Sequence, residues 1–255
     1  MTYTIAIANE KGGVAKTTTA LSLGAALTGM DLTVLVIDLD PQANLTLSLG
    51  FNPREMQNGA ADMLMGSTSV LRVVRETPVD NLHIIPSNHA LLHASRYIAV
   101  RDNFALLLRQ ALAPLRRFDY ILLDCPPTVG PLTENALAAA ELLMIPTQCE
   151  YYSAHALREM LALIRQVRQQ SNPGLRYRLL LTMYDRRNRI HRGLNEQIRS
   201  AFQNAVFETT IDIDTRLRES PVFGLPITEY APDSRSAIQY TQLAEELRQY
   251  AETTV

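Results

Sequence analysis

The sequence predicts an α/β fold: an open, mostly parallel twisted sheet flanked by helices on both faces. Three observations point there. The chain opens with a strand, a glycine-rich loop, a helix and a second strand within its first 38 residues. Short apolar runs then alternate with helical patterns along the rest of the chain. With 255 residues and 47% hydrophobic content, the chain is also long enough to bury one large core.

Residues 4–8 (TIAIA) are a short apolar run ahead of glycines, which suits a buried strand. Residues 17–28 are rich in Ala and Leu and read as a helix that stops at Gly29. Residues 32–37 (LTVLVI) form the second strand, ending on Asp38. Strands joined in this way lie parallel. Further buried strands are expected at residues 82–85, 120–123, 142–145 and 179–182. Helices are expected near 91–115, 133–140, 154–170 and 194–203, and a last amphipathic one at 234–251. Residues 51–80 carry the weakest pattern and read as loops with a short helix near 60–64. No repeat, low-complexity tract or linker interrupts the chain, so residues 1–255 read as one domain.

Composition excludes several classes. A net charge of −2 does not describe a wholesale polyanion binder. Cys125 and Cys149 are too few and too far apart for a disulfide framework or a C-x-x-C metal site. The first residues lack the basic and apolar regions of a signal peptide. No apolar run approaches the ~20 residues that span a bilayer. A reducing, cytosolic compartment fits all of this. One count is more pointed. Of 24 Lys and Arg residues, only Lys11 and Lys16 are lysine, and both lie in the first glycine-rich loop. A compact ammonium enters a phosphate cage where a planar guanidinium substitutes poorly.

That loop, EKGGVAKTTT, spans residues 10–19. Placed between a strand and a helix, its backbone N–H groups and the helix N-terminus form an anion site. Gly12 and Gly13 permit the tight turn, Val14 and Ala15 continue the loop, and Thr18 follows in the first helical turn. Lys16 can reach phosphate oxygens and Thr17 can ligate Mg²⁺. A standard Walker A pattern would demand glycine at positions 10 and 15, where this chain has Glu10 and Ala15. Asp38 and Asp40 (VIDLDPQAN) fall at the carboxyl edge of the sheet, where ligands of open α/β sheets bind. Asp124 (DYILLDCPP) has the form of a Walker B carboxylate that holds Mg²⁺ directly or through water. Asp40 is assigned to positioning an attacking water, because Pro41 begins a loop that could respond to a γ-phosphate. Asp38 is assigned to the metal shell, with Thr17 and Asp124.

The segment KGGVAKTT resembles the deviant Walker A box, K-G-G-x-x-K-[ST], of the ParA/MinD group of P-loop ATPases. In that pattern positions 14 and 15 are free. DLDPQAN is similar to the group's switch I, and DCPPTVGPLTENAL to its switch II. PTQCEYYSAHAL, TMYDRR and RLRESPVFGLPITEYAPDSRSAIQY resemble the ParA/Soj branch. The resemblance implies ATP and Mg²⁺ as cofactors, and an ATP-bound homodimer in which Lys11 reaches the partner's phosphates. It also implies an adenine pocket near Met183 and residues 216–226.

Residues 176–218 hold nine arginines against five acids. Arg186, Arg187, Arg189 and Arg192 are the densest group, and the resemblance adds Arg216 and Arg218 as contacts to non-specific DNA. The family's branch often carries another basic residue where this chain has Asp212, Ile213 and Asp214. The resemblance further implies a ParB-like centromere-binding partner that stimulates hydrolysis, and a place in the cytoplasm on the nucleoid. The cargo it implies is a chromosome, a plasmid or a protein assembly. A loop beginning at residue 10 leaves no room for a preceding helix-turn-helix. A MinD-like membrane role would call for a basic amphipathic C-terminal helix, whereas LAEELRQYAETTV is acid-rich, so no membrane is expected. A reductase like the nitrogenase iron protein would need cluster-ligating cysteines.

Overall fold

The computed structural model describes residues 2–150 and 153–254. Tyr151 and Tyr152, part of PTQCEYYSAHAL, lie outside the described residues. The strands are β1 (Tyr3–Ile7), β2 (Val34–Asp38), β3 (Arg75–Glu76), β4 (Leu82–Ile85), β5 (Tyr120–Asp124), β6 (Leu142–Gln148), β7 (Arg176–Tyr184) and β8 (Val206–Asp212). They form one sheet in the order β3-β4-β2-β5-β1-β6-β7-β8. Every pairing is parallel except β3 with β4. Every residue of β1, β2, β5 and β6 is buried, which is why these segments read as unbroken apolar runs.

Helices α1 (Lys16–Thr28) and α2 (Asn44–Ser48) follow β1 and β2. Next come α3 (Ala60–Met65) and α4 (Val70–Val73), then α5 (Ala90–Ile98) and α6 (Leu107–Leu112). α7 (Pro131–Ala139), α8 (Ser153–Gln170) and α9 (Arg189–Phe202) connect the later strands. α10 (Thr215–Glu219), α11 (Ile227–Tyr230) and α12 (Arg235–Thr254) follow β8. Two hydrophobic cores result, one on each face of the sheet. Leu21, Leu23 and Leu27 of α1 pack with Tyr240, Leu243 and Leu247 of α12 on one face. Residues from α3, α5, α6, α7 and α8 cover the other. Gly24 sets how closely α1 lies on the sheet: a Cβ there would meet Val36 Cγ1 at 3.0 Å and Leu82 Cδ1 at 3.2 Å.

Three differences from the sequence pattern have physical causes. The helical pattern at 91–115 is broken into α5 and α6, with Asn103 in the left-handed region (φ 55°) between them. α9 starts five residues before the pattern does, because the Asn188 side chain caps it by accepting the Ile190 N–H at 2.9 Å. β8 was not anticipated. It is an edge strand whose buried Val206–Phe207 and Ile211–Asp212 flank a partly exposed Glu208–Thr210, so it shows neither alternation nor an unbroken apolar run. Both cysteines are free and buried, as the packing role requires.

The two helices on one face are joined inside the core, where Thr19 Oγ1 and Tyr240 Oη form a hydrogen bond at 3.1 Å. Tyr240→Phe should therefore leave the Thr19 hydroxyl unpaired and lower stability by about 1–2 kcal/mol. Urea denaturation followed by circular dichroism measures that loss.

Candidate functional site

The loop after β1 sits at the carboxyl edge of the sheet, between β5 and β6. Gly13 (φ 72°) and Ala15 (φ 66°) both take the left-handed conformation, so the backbone turns sharply into α1. No side chain caps α1 at Ala15, which leaves its first N–H groups facing the cavity. Several polar contacts fix the loop from the β6–β7 side. Gln148 Nε2 donates to Gly13 O at 3.1 Å, and Thr182 Oγ1 donates to Val14 O at 3.1 Å. Asn9 donates to Pro146 O at 2.7 Å while accepting the Lys11 N–H at 3.0 Å.

Lys16 is buried, and its ammonium folds back over the loop to donate to Lys11 O at 3.2 Å. Burial lowers its pKa, while Asp124, Cys125 and Asp40 pull the other way. Lys11 takes a different course. Its ammonium donates to Gln148 Oε1 at 2.9 Å and pairs with Glu150 of its own chain. The two lysines thus leave the same loop in different directions.

Beneath the loop, Asp38 and Asp124 stand opposite one another in the β2–β5 register, and both are fully buried. Their surroundings differ sharply. Asp38 Oδ2 accepts from Thr46 N at 2.9 Å and Thr46 Oγ1 at 2.7 Å, and Oδ1 accepts from Asp40 N at 3.1 Å. Neither oxygen of Asp124 has a well-formed hydrogen bond among the described residues, although the Thr17 hydroxyl lies near enough to lower its pKa. Burial raises both carboxyls above the usual range. Hydrogen bonds from Thr46 and Asp40 oppose the rise at Asp38. At Asp124 the Asp38 charge adds to it, while Thr17 and Lys16 act against it. Asp124 therefore has the free acceptor capacity that a cation or its bound water would satisfy. Asp38 uses both oxygens to anchor α2 and the 38–46 loop, so its assigned part in the metal shell would run through water beside Asp124. No group of three or more His, Cys, Asp or Glu among the described residues could hold a metal unaided. Mg²⁺ commonly binds through one or two carboxylates plus phosphate oxygens and water, which suits Thr17 and Asp124 beside a phosphate site.

Above these groups lies a cavity of about 480 Å³. Gly12, Gly13, Ala15, Lys16, Thr17, Thr18, Asp40 and Met183 line it, as the sequence led one to expect. Lys11, Val14, Asp38 and Asp124 do not. Sequence reasoning missed Asn44, Ser48 and Pro127, and also Ile211 and Asp212 at the end of the unanticipated β8 with Ile213 and Asp214 just beyond it. Leu217, Arg218 and Pro221 complete that wall. Met183 is itself strained into the left-handed region (φ 52°), with its sulfur against Gln148 Nε2 at 2.7 Å.

The remaining arginines are dispersed among local partners. Arg186 pairs with Asp212 and Arg187 with Asp185. Arg192 donates to the carbonyls of Arg186 and Arg187 at 2.9 and 3.3 Å. Arg189 opens α9 and is exposed, as is Arg216 on α10. Arg218 faces the cavity rather than joining the 186–192 group.

The chain matches the AAA domain family over residues 2–177. It is 38% identical over 245 residues to the sporulation initiation inhibitor protein Soj of Bacillus subtilis, covering 95% of this chain and 97% of that one. It is 41% identical over 244 residues to the chromosome-partitioning ATPase Soj of Thermus thermophilus, covering 95% and 94%. The chain belongs to the Soj/ParA family of partition ATPases. Among solved structures, it is similar to Mycobacterium smegmatis cobyrinic acid a,c-diamide synthase with a bound ATP analogue and magnesium. That likeness has a TM-score of 0.88 and 32% identity, over 100% of this chain and 98% of that one. The fold is that of P-loop NTPases, and the enzymatic class of this Soj/ParA member is ATPase.

Each raised carboxyl holds its proton more tightly in the folded than in the unfolded protein. Between the ordinary carboxylate range and the raised value the folded state therefore binds more protons, and stability falls as pH rises. For Asp38 that window extends to about 7. The nucleotide-free protein should lose stability from about pH 4 to neutrality. Asp124→Asn should flatten that decline and raise the melting temperature at neutral pH, yet abolish the further rise that Mg²⁺ and ATP give the unaltered protein. Thermal melts across pH, with and without Mg²⁺–ATP, measure both effects.

Proposed function

We propose that residues 1–255 act as a single-domain, ATP-dependent dimerising switch that rides on non-specific DNA and is discharged by a ParB-like partner. The observation that carries the nucleotide half is the buried Asp124, moderated by only Thr17 and Lys16, beneath a loop holding the chain's only two lysines. Loop N–H groups and Lys16 bind the phosphates. Thr17 and Asp124 would hold Mg²⁺, which when bound neutralises charge on the phosphate oxygens. Asp40, at the cavity wall, orients the attacking water. Its carboxylate already accepts the Gln42 N–H at 2.9 Å and its backbone contacts Asp38 and Ser87, so the 38–46 loop can register whether a γ-phosphate is present. Met183 and the Ile211–Pro221 wall receive the base.

Lys11 supplies the dimer half. Two nucleotide-loaded chains brought face to face repel through their phosphates, and an ammonium from each can neutralise the other's charge. To do so Lys11 leaves Glu150 and Gln148. DNA is met by Arg186, Arg187, Arg189, Arg192, Arg216 and Arg218 acting on backbone phosphates. An amidoligase reading would need a second substrate cavity beside the loop. Of two larger cavities, one of about 710 Å³ opens at the opposite edge of the sheet, among Thr2, Arg109, Glu141 and Arg176, and one of about 920 Å³ is a groove along Tyr184, Arg186, Asp212 and Arg235. No described helix is long and apolar enough to cross a membrane.

Lys11→Ala should keep nucleotide binding but lose ATP-dependent dimers in light scattering; an unaltered dimer would remove the trans role. Asp40→Ala should retain the ATP dimer and lose at least about a hundredfold in turnover. Mobility shifts of non-specific duplex with ATP, ADP or no nucleotide, across a salt series, test the DNA half. Indifference to ATP would count against it.

A further inference from the structure

β8 ends where two surfaces meet. Ile211 and Asp212 at its end, with Ile213 and Asp214 just beyond, line the nucleotide cavity, and Asp212 and Ile213 also line a separate groove with Arg186, Asp233 and Arg235. Asp212 Oδ2 accepts from Arg186 Nε at 2.8 Å and from Arg235 Nη1 at 3.5 Å. Asp212 Oδ1 is buried with no partner among the described residues. The acid's side chain is 2% exposed, but those of both arginines are 66% exposed. Arg186 comes from the end of β7 and Arg235 from the start of α12, so nothing local in the chain brings them together. One buried carboxylate holds two guanidiniums that solvent can reach, and both keep donors free beside the groove's other acids, Asp185 and Asp233.

We propose that Arg186 and Arg235 form a binding site for a backbone phosphate of DNA, and that Asp212 occupies this pair in the nucleotide-free protein. The inference rests on the DNA-binding reading above and adds to it a residue, Arg235, and a control. A guanidinium fork shared with a carboxylate presents its donors in the geometry that a phosphate also accepts. The incoming phosphate competes with Asp212 for the same N–H groups. Asp212 is held by its own strand: its N–H donates to Gln239 Oε1 at 2.9 Å, and the next N–H, of Ile213, donates to Tyr184 O at 3.1 Å. A nucleotide seated against Ile211–Asp214 bears on that same strand end. Its binding and the release of the arginines are then coupled, and each favours the other. The competing account makes the cluster a structural tie between β7, β8 and α12, with no bearing on DNA.

The test is fluorescence anisotropy of a labelled non-specific duplex, with and without Mg²⁺–ATP. Asp212→Asn should tighten nucleotide-free binding about tenfold and so shrink the advantage that ATP confers. Asp233→Asn removes an exposed acid from the same groove and controls for simple charge; it should shift binding equally in both states. Arg235→Gln should weaken ATP-state binding and reduce the salt slope by about one. If Asp212→Asn keeps the unaltered ATP advantage, or Arg235→Gln leaves affinity and slope unchanged, the inference is overturned. Because Arg235 is exposed, that arm stands even if Asp212→Asn folds poorly. Absence of DNA binding by the unaltered protein at low salt, in any nucleotide state, would instead overturn the DNA reading itself.

Discussion

At the carboxyl end of the sheet, Asp38 and Asp124 face one another across β2 and β5 with no solvent reaching either. Two buried carboxylates in adjacent strands repel, and each loses its hydration, so the fold must answer both. It answers them unequally. Asp38 is satisfied locally: Thr46 and the Asp40 N–H fill its oxygens and, in doing so, fix α2 and the turn that carries Asp40. Asp124 is left open, with a buried lysine and a threonine hydroxyl nearby to moderate it. The arrangement is a stored electrostatic deficit that a cation and phosphates would relieve. Stability is forgone at one residue so that ligand binding can recover it.

The phosphate loop is held in place by its neighbours. Gln148 at the end of β6 touches the Gly13 carbonyl, the Met183 sulfur and the Lys11 ammonium. One side chain therefore joins the phosphate loop, the base wall and the lysine assigned to the dimer. Thr182 adds a second tie from β7 to Val14. Movement of Lys11 away from this cluster removes one of Gln148's partners, so the loop and the base wall feel whether that lysine is engaged elsewhere. Contacts of this kind give a shared site two coupled sides without any long-range pathway.

Much of this was legible because buried parallel strands advertise themselves. TIAIA, LTVLVI and YILLD read as strands, and the residues just beyond or ending them had to lie at one edge. Lys16, Thr17, Asp40 and Asp124 were found that way. Two kinds of information were not legible. A carboxylate at a strand end looks the same whether it is satisfied or free, so Asp38 and Asp124 could be told apart only by their hydrogen bonds. β8 showed no usable period, because VFETTID puts its apolar residues at the ends and its polar ones in the middle. The part that Ile211 and Asp212 play in the cavity wall went unseen with it. The arginine cluster was visible as composition, but the pairing of Arg186 with Asp212 joins segments 26 residues apart and left no local signal.

The distribution of cations over these sites follows from their chemistry. At the phosphate loop each position needs one flexible, compact charge able to reach phosphate oxygens that backbone N–H groups also cradle, and there the chain uses lysine. At the groove beside β8 two cations share one oxygen and, in the proposed site, would share a phosphate in its place. Planar guanidiniums suit that task, since their several donors let a fork hold an acid while still facing solvent. Replacing Arg186 or Arg235 by lysine would conserve charge but give up this divided geometry. The same reasoning explains why a chain that otherwise relies on arginine retains lysine at Lys11. In the proposed dimer the ammonium would leave Gln148 and Glu150 for a new partner, and a compact charge on a four-carbon stem can make that exchange without carrying a rigid fork through the loop.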